Sequence, residues 1–224
     1  MNGGGTKDSG LKIAGIDYET SKRLAGSRDS LERRMVAGRD DTRPEILYLL
    51  ATDQSADVRR EIARNAATPR QADLILSTDP DDGVRSGLAA KIAALAPDLS
   101  ADAVDQIEKM TLEILETLAR DQAVAVRQVL SDTLKDSPSA PPSVIQQLAR
   151  DLELTVCGPV LRHSPVLTDE DLLHIIQGKP VDGQLVAIAE RAGVSSAVTD
   201  AVVRTESEAA VAASSWVTAS CPAR

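Results

Sequence analysis

The sequence predicts an all-α protein, a right-handed α-solenoid of about six helical hairpins, and three observations carry that expectation. A short phrase returns along the chain: Leu-Ala-Thr-Asp at 50–53, Leu-Ser-Thr-Asp at 76–79, and Leu-Ala-Arg-Asp at 118–121 and again at 148–151. Five residues after each Asp stands a valine, Val58, Val84, Val126 or Val156. In the first three copies an arginine comes next, so Asp53 and Arg59, Asp79 and Arg85, and Asp121 and Arg127 are each six apart. A fixed internal period of this kind marks a stacked repeat array. Composition agrees: 42% of residues are hydrophobic but only 1% aromatic, with Tyr18, Tyr48 and Trp216 and no Phe. An interior of Leu, Val, Ile and Ala suits closely stacked helices better than an aromatic ligand pocket.

Residues 1–16 read as a flexible tail, Gly-rich and polar from Met1 to Gly10, and residues 17–213 as a single repeat domain. A first, weakly marked hairpin falls around Tyr18 to Val36. The next starts at Thr42-Arg43-Pro44, runs through Ile46, Leu47, Leu49 and Leu50, turns at Asp53 to Asp57, and continues with Val58, Ile62 and Ala63. In the clearest copy Thr68 is the expected N-cap and Pro69 the first helical residue, where its missing N–H costs nothing. Leu74, Ile75 and Leu76 supply the apolar side, residues 78–83 are dense in turn formers, and Val84, Leu88, Ile92 and Leu95 recur at helical spacing until Pro97.

The period is 26 between Asp53 and Asp79, 30 between Asp121 and Asp151, and 42 between Asp79 and Asp121. The excess predicts a mid-array helical insertion near 97–110, with Ser100 as N-cap and Ala103, Val104 and Ile107 on one side. Downstream, Pro141-Pro142-Ser143 opens a helix with Val144, Ile145 and Leu148, and its partner begins near Val156 with Cys157 where the arginine stood. Thr168-Asp169-Glu170-Asp171 resembles a helix start, its acids at the positive end of the dipole. Leu185, Ile188 and Ala189 begin its partner, and Val198, Val202 and Val203 mark a further helix before the alanine-rich stretch to Ala213. Residues 214–224 read as an irregular tail.

The formal net charge of -9 is unevenly spread: residues 1–70 hold 13 Lys and Arg against 11 Asp and Glu, residues 71–224 hold 12 against 23. Nucleic acid is therefore disfavoured over most of the surface, because binding it requires clustered cations. With Cys157 and Cys221 the only cysteines, no disulfide framework is expected. No run of about 18 apolar residues is present to cross a membrane, and the amino terminus lacks a signal-peptide core, so a cytoplasmic protein is expected.

The Asp and Arg six apart read as a structural ladder. Asp53, Asp79 and Asp121 would accept backbone N–H groups at the start of the second helix while Arg59, Arg85 and Arg127 reach a neighbouring repeat's Asp. His163 and His174 lack the spacing of a zinc site, so no metal or cofactor is expected. Cys157 and His163 lie on opposite sides of a Gly158-Pro159 break with no third group to orient a base, which leaves no catalytic residue to name. Aligning second helices on Leu31 and Val58 gives an amino-terminal basic stripe of Arg33, Arg34, Arg60 and Arg64, the candidate partner-binding residues, which an acidic protein segment would fit.

The Asp-x4-Val-Arg pattern resembles HEAT-type repeats, whose second helix carries this pair. Several runs also resemble the alphaproteobacterial domain of unknown function (DUF) 2336 family: Tyr18 to Leu24, Arg43 to Tyr48, Arg60 to Asn65 leading to Thr68-Pro69, Lys135 to Pro138, and Ser164 to Leu173. That resemblance covers about residues 17–213 and implies a helical-repeat fold with no established activity. Family members continue past a segment like Glu208 to Ala213 into a further repeat, and this chain departs from them at Ser214. Self-association through the carboxy-terminal end is therefore an expectation. The reading that follows is a non-enzymatic scaffold for a protein partner. Two others stay open: a HEAT-like nucleic-acid-binding or base-repair module using the basic stripe, and a small-molecule sensor or enzyme with a site between helices.

Overall fold

The computed structural model describes residues 16–95, 106–178, 180 and 182–205. The tail before Ile16, the insertion before Gln106, the alanine-rich stretch from residue 206 and the tail at 214–224 lie outside the described residues. Among the described residues there are thirteen α-helices and no strand. They are α1 (Tyr18–Ala25), α2 (Ser30–Ala37), α3 (Pro44–Leu50), α4 (Ala56–Arg64), α5 (Arg70–Leu76), α6 (Asp82–Leu95), α7 (Gln106–Ala119), α8 (Val124–Leu134), α9 (Pro142–Ala149), α10 (Leu154–His163), α11 (Asp169–Gln177), α12 (Asp182–Ala189) and α13 (Ser196–Arg204).

The helices sort into two layers by their contacts. In the even layer α2 packs on α4, α4 on α6, α6 on α8, α8 on α10 and α10 on α12. In the odd layer α1 packs on α3, α3 on α5, α5 on α7, α7 on α9, and α11 on α13, while Gln146 of α9 reaches Asp171 of α11 at 2.9 Å. The even layer is the more closely packed, and the sequence explains why. Ala37, Ala63 and Ala89, 26 residues apart on α2, α4 and α6, are fully buried and let neighbouring backbones approach. Between them Val36, Ile62 and Leu88 fill the core, flanked by Leu24, Leu50 and Leu76 from the odd layer.

This 26-residue register governs residues 16–95 and corrects two expectations. The N-caps of α1, α3 and α5 are Asp17, Arg43 and Pro69, so Thr68 is not a cap. Its hydroxyl instead donates to the Ile62 carbonyl at 2.8 Å, as Thr42 does to Val36 at 2.7 Å, closing the end of each second helix. The register also pairs Leu31 with Asp57, not with Val58, and hence Arg33 with Arg59 and Arg34 with Arg60. The first hairpin is as regular as its neighbours, but exposed Leu31 obscured the phase.

The 42-residue interval has a local cause: α6 and α7 are each 14 residues long, against 9 in α4 and 7 in α5, so both extend past their neighbours. In α10, Pro159 sits inside a continuous helix, so Gly158-Pro159 is no break and Cys157 and His163 share one element. Thr168 and Asp171 form a capping box at α11.

Ile62 is wholly enclosed where α4 meets its neighbours. Ile62→Ala should lower stability by about 2–5 kcal/mol through lost burial and a residual cavity, read as a lower urea midpoint with unchanged slope.

Candidate functional site

The turns before α4, α6, α8 and α10 each present one aspartate, and the first turns of α2, α4, α6 and α8 each present one arginine. Asp53, Asp79, Asp121 and Asp151 each accept the backbone N–H two residues on, at Ser55, Asp81, Ala123 and Glu153, with distances of 2.8 to 2.9 Å. That bond starts the helix and points the other oxygen toward the preceding repeat. There it meets a guanidinium. Arg33 grips Asp53 through Nε and Nη2 at 2.6 and 2.9 Å, and Arg59 grips Asp79 at 2.6 and 3.0 Å. Arg85 grips Asp121 at 2.5 and 2.9 Å, and Arg127 grips Asp151 at 2.5 and 3.1 Å. The remaining nitrogen, Nη1, donates to the carbonyl six residues back, at Ser27, Asp53, Asp79 and Asp121.

Each arginine thus binds its own turn by a carbonyl and the next turn by a carboxylate. The fork geometry makes such a pair specific as well as strong. The rung side chains are 5–15% exposed, and the aspartates raise the affinity of all four arginines for their protons. At Asp53, burial acts to raise the carboxyl, but the Arg33 guanidinium and the Ser55 N–H outweigh it and hold the group below the usual carboxylate range.

Both ends of the ladder are neutral. Ser27 occupies the position of the aspartates, its hydroxyl accepting the Asp29 N–H at 3.1 Å, and no charge awaits an arginine there. At the other end Cys157 replaces the arginine, fully buried with burial raising its thiol, and Gln184 of α12 supplies the bond to the Asp151 carbonyl at 2.9 Å.

The four candidate partner-binding arginines do not form one set. Arg33 is 6% exposed and committed to the ladder, so it is removed from the stripe. The phase of the alignment hid this, because Ser27 offers no Asp six residues before it. Arg34, half exposed, pairs with Glu61 at 2.7 Å. Arg60 pairs with Asp81 at 2.6 Å and with Asp57 at 2.7 Å. Arg64 is exposed and makes no ion pair with the described residues. Three cations therefore alternate with Asp57, Glu61 and Asp81, and the surface is a neutral charge mosaic where a basic stripe was expected. Its floor is Gly83 and Gly87 on α6: a Cβ at either position would stand 2.9 Å from Arg60 Nε or 3.2 Å from Arg64 Cγ. Sequence reasoning missed these glycines, and their four-residue spacing on an even helix is the signal that identifies them.

A second polar line ties the opposite edge of the even layer. Asn65 donates to the Ala37 and Arg39 carbonyls at 2.8 and 2.9 Å, and Arg191 reaches the Ser164 carbonyl at 2.6 Å. Between them Lys91 binds the Asn65 carbonyl and the fully buried Asp73, which Arg70 also contacts at 2.8 Å. Burial pushes the Asp73 carboxyl up and the Lys91 ammonium down. His163 and His174 lie on α10 and α11, and no cluster of metal-ligating side chains occurs among the described residues.

Residues 156–215 match the model of a family described as "uncharacterised protein conserved in bacteria (DUF2336)". The match takes in most of α10 and all of α11, α12 and α13. No curated protein matches the chain. Among solved structures the chain is similar to the crystal structure of an engineered protein, a Northeast Structural Genomics Consortium target, at 18% identity over 88% of this chain and 98% of that one, with a TM-score of 0.46.

Arg85→Met leaves Asp121 enclosed without its counter-charge and should cost about 2–4 kcal/mol, whereas Arg34→Met at the exposed pair should cost less than about 1 kcal/mol. Urea unfolding distinguishes the two. Because the Asp53 carboxyl is depressed in the folded state, its contribution is complete above the unfolded value of about 3.9 and is lost as pH falls through the lower folded value. Unfolding midpoints measured from pH 7 to pH 3 should therefore fall in acid, and less steeply in Asp53→Asn.

Proposed function

We propose that this chain is a right-handed α-solenoid of six HEAT-like hairpins, built from α1/α2 to α11/α12 and followed by α13, and that it works as a non-enzymatic scaffold for a protein partner. The carrying observation is the continuous line of Arg–Asp rungs, which fixes the spacing between successive even helices and makes one extended surface of them. Closer packing in the even layer than in the odd layer supports curvature toward the even side, the geometry with which helical-repeat proteins present a concave binding face. The family match at 156–215 and the sequence resemblance over 17–213 support assigning the whole array to the same bacterial, alphaproteobacterial family. A cytoplasmic location goes with this reading.

The contact surface we assign is the mosaic of Arg34, Arg60 and Arg64 with Asp57, Glu61 and Asp81, resting on Gly83 and Gly87. Alternating charge fixes the register and orientation of a partner more than its raw affinity. A partner with matching alternate charges fits this surface better than a uniformly acidic one.

The experiment is retention from a lysate of the native host, comparing the full chain with an Arg34→Glu, Arg60→Glu, Arg64→Glu variant by quantitative mass spectrometry. A protein retained by the former and depleted at least about tenfold by the latter, matching the loss of one or two charge pairs, supports the scaffold. Equal retention of every protein, or retention of nucleic acid alone, overturns the assignment.

A further inference from the structure

One place in the repeating core carries a charge in a single repeat. Six residues before each ladder aspartate stands a fully enclosed side chain of the odd layer: Leu47, Asp73, Leu115 and Ile145 precede Asp53, Asp79, Asp121 and Asp151. In the first repeat Ser21 holds the same place, six before Ser27. Three repeats thus fill it with an aliphatic side chain, and α5 puts a carboxylate there. The partner of that carboxylate is set by the same register. Asn65 and Lys91 stand twelve residues after Asp53 and Asp79, and each reaches a carbonyl of the repeat before it: Asn65 that of Arg39 at 2.9 Å, Lys91 that of Asn65 at 3.2 Å. Lys91 in addition turns toward the odd layer, where its Nζ lies 2.5 Å from Asp73.

The Asp73 side chain is 0% exposed and that of Lys91 6%. Withdrawing two charges from water offsets most of their attraction, and apolar residues of similar volume commonly hold such a place as well or better. The cluster is also incompletely satisfied: Arg70 gives Asp73 its Nη1 at 2.8 Å, while its buried Nε meets no acceptor among the described residues. When α5 and α6 part, both charges recover their hydration, which a parted pair of aliphatic side chains does not. The contact of α5 with α6 is therefore less costly to open than its counterparts along the array.

We propose that Asp73 and Lys91 form a latch whose release lets α5 swing away from α6 about the turn at 77–81, giving the array a point of bending in mid-length. Closed, Lys91 ties α6 to α5 through Asp73 and to the corner between α4 and α5 through the Asn65 carbonyl, and Asn65 in turn holds the end of α2 at Ala37 and Arg39. Open, the ion pairs that still join α4 to the turn before α6 are on the ladder edge, Arg59 with Asp79 and Arg60 with Asp81. An edge that stays tied opposite an edge that is released is the arrangement of a hinge. Asp73 and Lys91 take no part in the mosaic of Arg34, Arg60 and Arg64, so the latch does not depend on what that surface binds.

The test is amide hydrogen exchange of the full chain, followed residue by residue by NMR and corrected for intrinsic rates. In the parent, the amides of residues 72–77 and 88–93 should open together and exchange at least about tenfold faster than those of α8, the mark of a local opening below global unfolding. Asp73→Leu with Lys91→Met removes both charges and should slow the same amides at least about fivefold, the lower end of the gain when apolar groups replace a buried ion pair. Asp73→Asn keeps the volume, leaves Lys91 without its counter-charge, and should speed them by at least as much. Protection of residues 72–77 equal to that of α8 in the parent overturns the proposal without recourse to any variant. Unchanged or faster exchange in the double variant, or unchanged exchange in Asp73→Asn, overturns it as well.

Discussion

The stacking of this protein depends on one interaction made four times: an arginine shared between its own turn and the next. A buried ion pair is weak evidence for stability when judged by Coulomb attraction alone, because desolvating two charges offsets most of the gain. Here the cost is reduced on both sides. Each aspartate accepts a backbone N–H as well as the fork of the guanidinium, and each arginine adds a bond to a carbonyl. With the charges that far satisfied, the pair sets distance and orientation between neighbouring helices. The aliphatic core then supplies the burial energy without also having to specify register.

The same rung survives a large change in sequence spacing. Arg59 and Asp79 are 20 residues apart, Arg85 and Asp121 are 36 apart, and yet both pairs are two-pronged with nearly equal lengths. The longer α6 and α7 extend from the edge opposite the rungs, so the additional residues leave the pairing edge undisturbed. Lys91, which stands near the base of this extension, is held by Asp73 and by the Asn65 carbonyl, a charged anchorage on the edge where Asn65 and Arg191 bind carbonyls of neighbouring segments.

The all-helical character of the chain was legible in its sequence because the apolar positions recur with helical period and the turns are punctuated by Asp, Pro and Gly. Three of the ladder arginines stood out by their spacing from an aspartate. The fourth, Arg33, did not, because Ser27 performs the turn bond without a carboxylate, and a one-residue error of phase then moved Arg33 onto the surface stripe. Thr42 and Thr68 look like N-caps beside their prolines, but their hydroxyls turn back to the preceding helix. The pairing of Arg34 and Arg60 with acids on the next helix is a relation between repeats, which local charge counting cannot register. Gly83 and Gly87 carry no side chain to attract notice, and their meaning is the space they leave for Arg60 and Arg64.

The neutral ends of the ladder bear on how such a chain can be lengthened or shortened. Since every arginine looks for an aspartate in the following turn, the rung makes no distinction between one following repeat and another. Excision of one 26-residue unit in phase, such as 42–67, would bring Arg33 opposite Asp79 and leave no charge unmatched, whereas a cut out of phase would bury an orphan at the junction. Ser27 and Cys157 then act as stop characters: beyond them the rule has no symbol to read. The length of the ladder, though not of the helical stack, which runs on through α11, α12 and α13, is written in these two uncharged side chains, and the repeats between them are interchangeable in the only currency the ladder recognises.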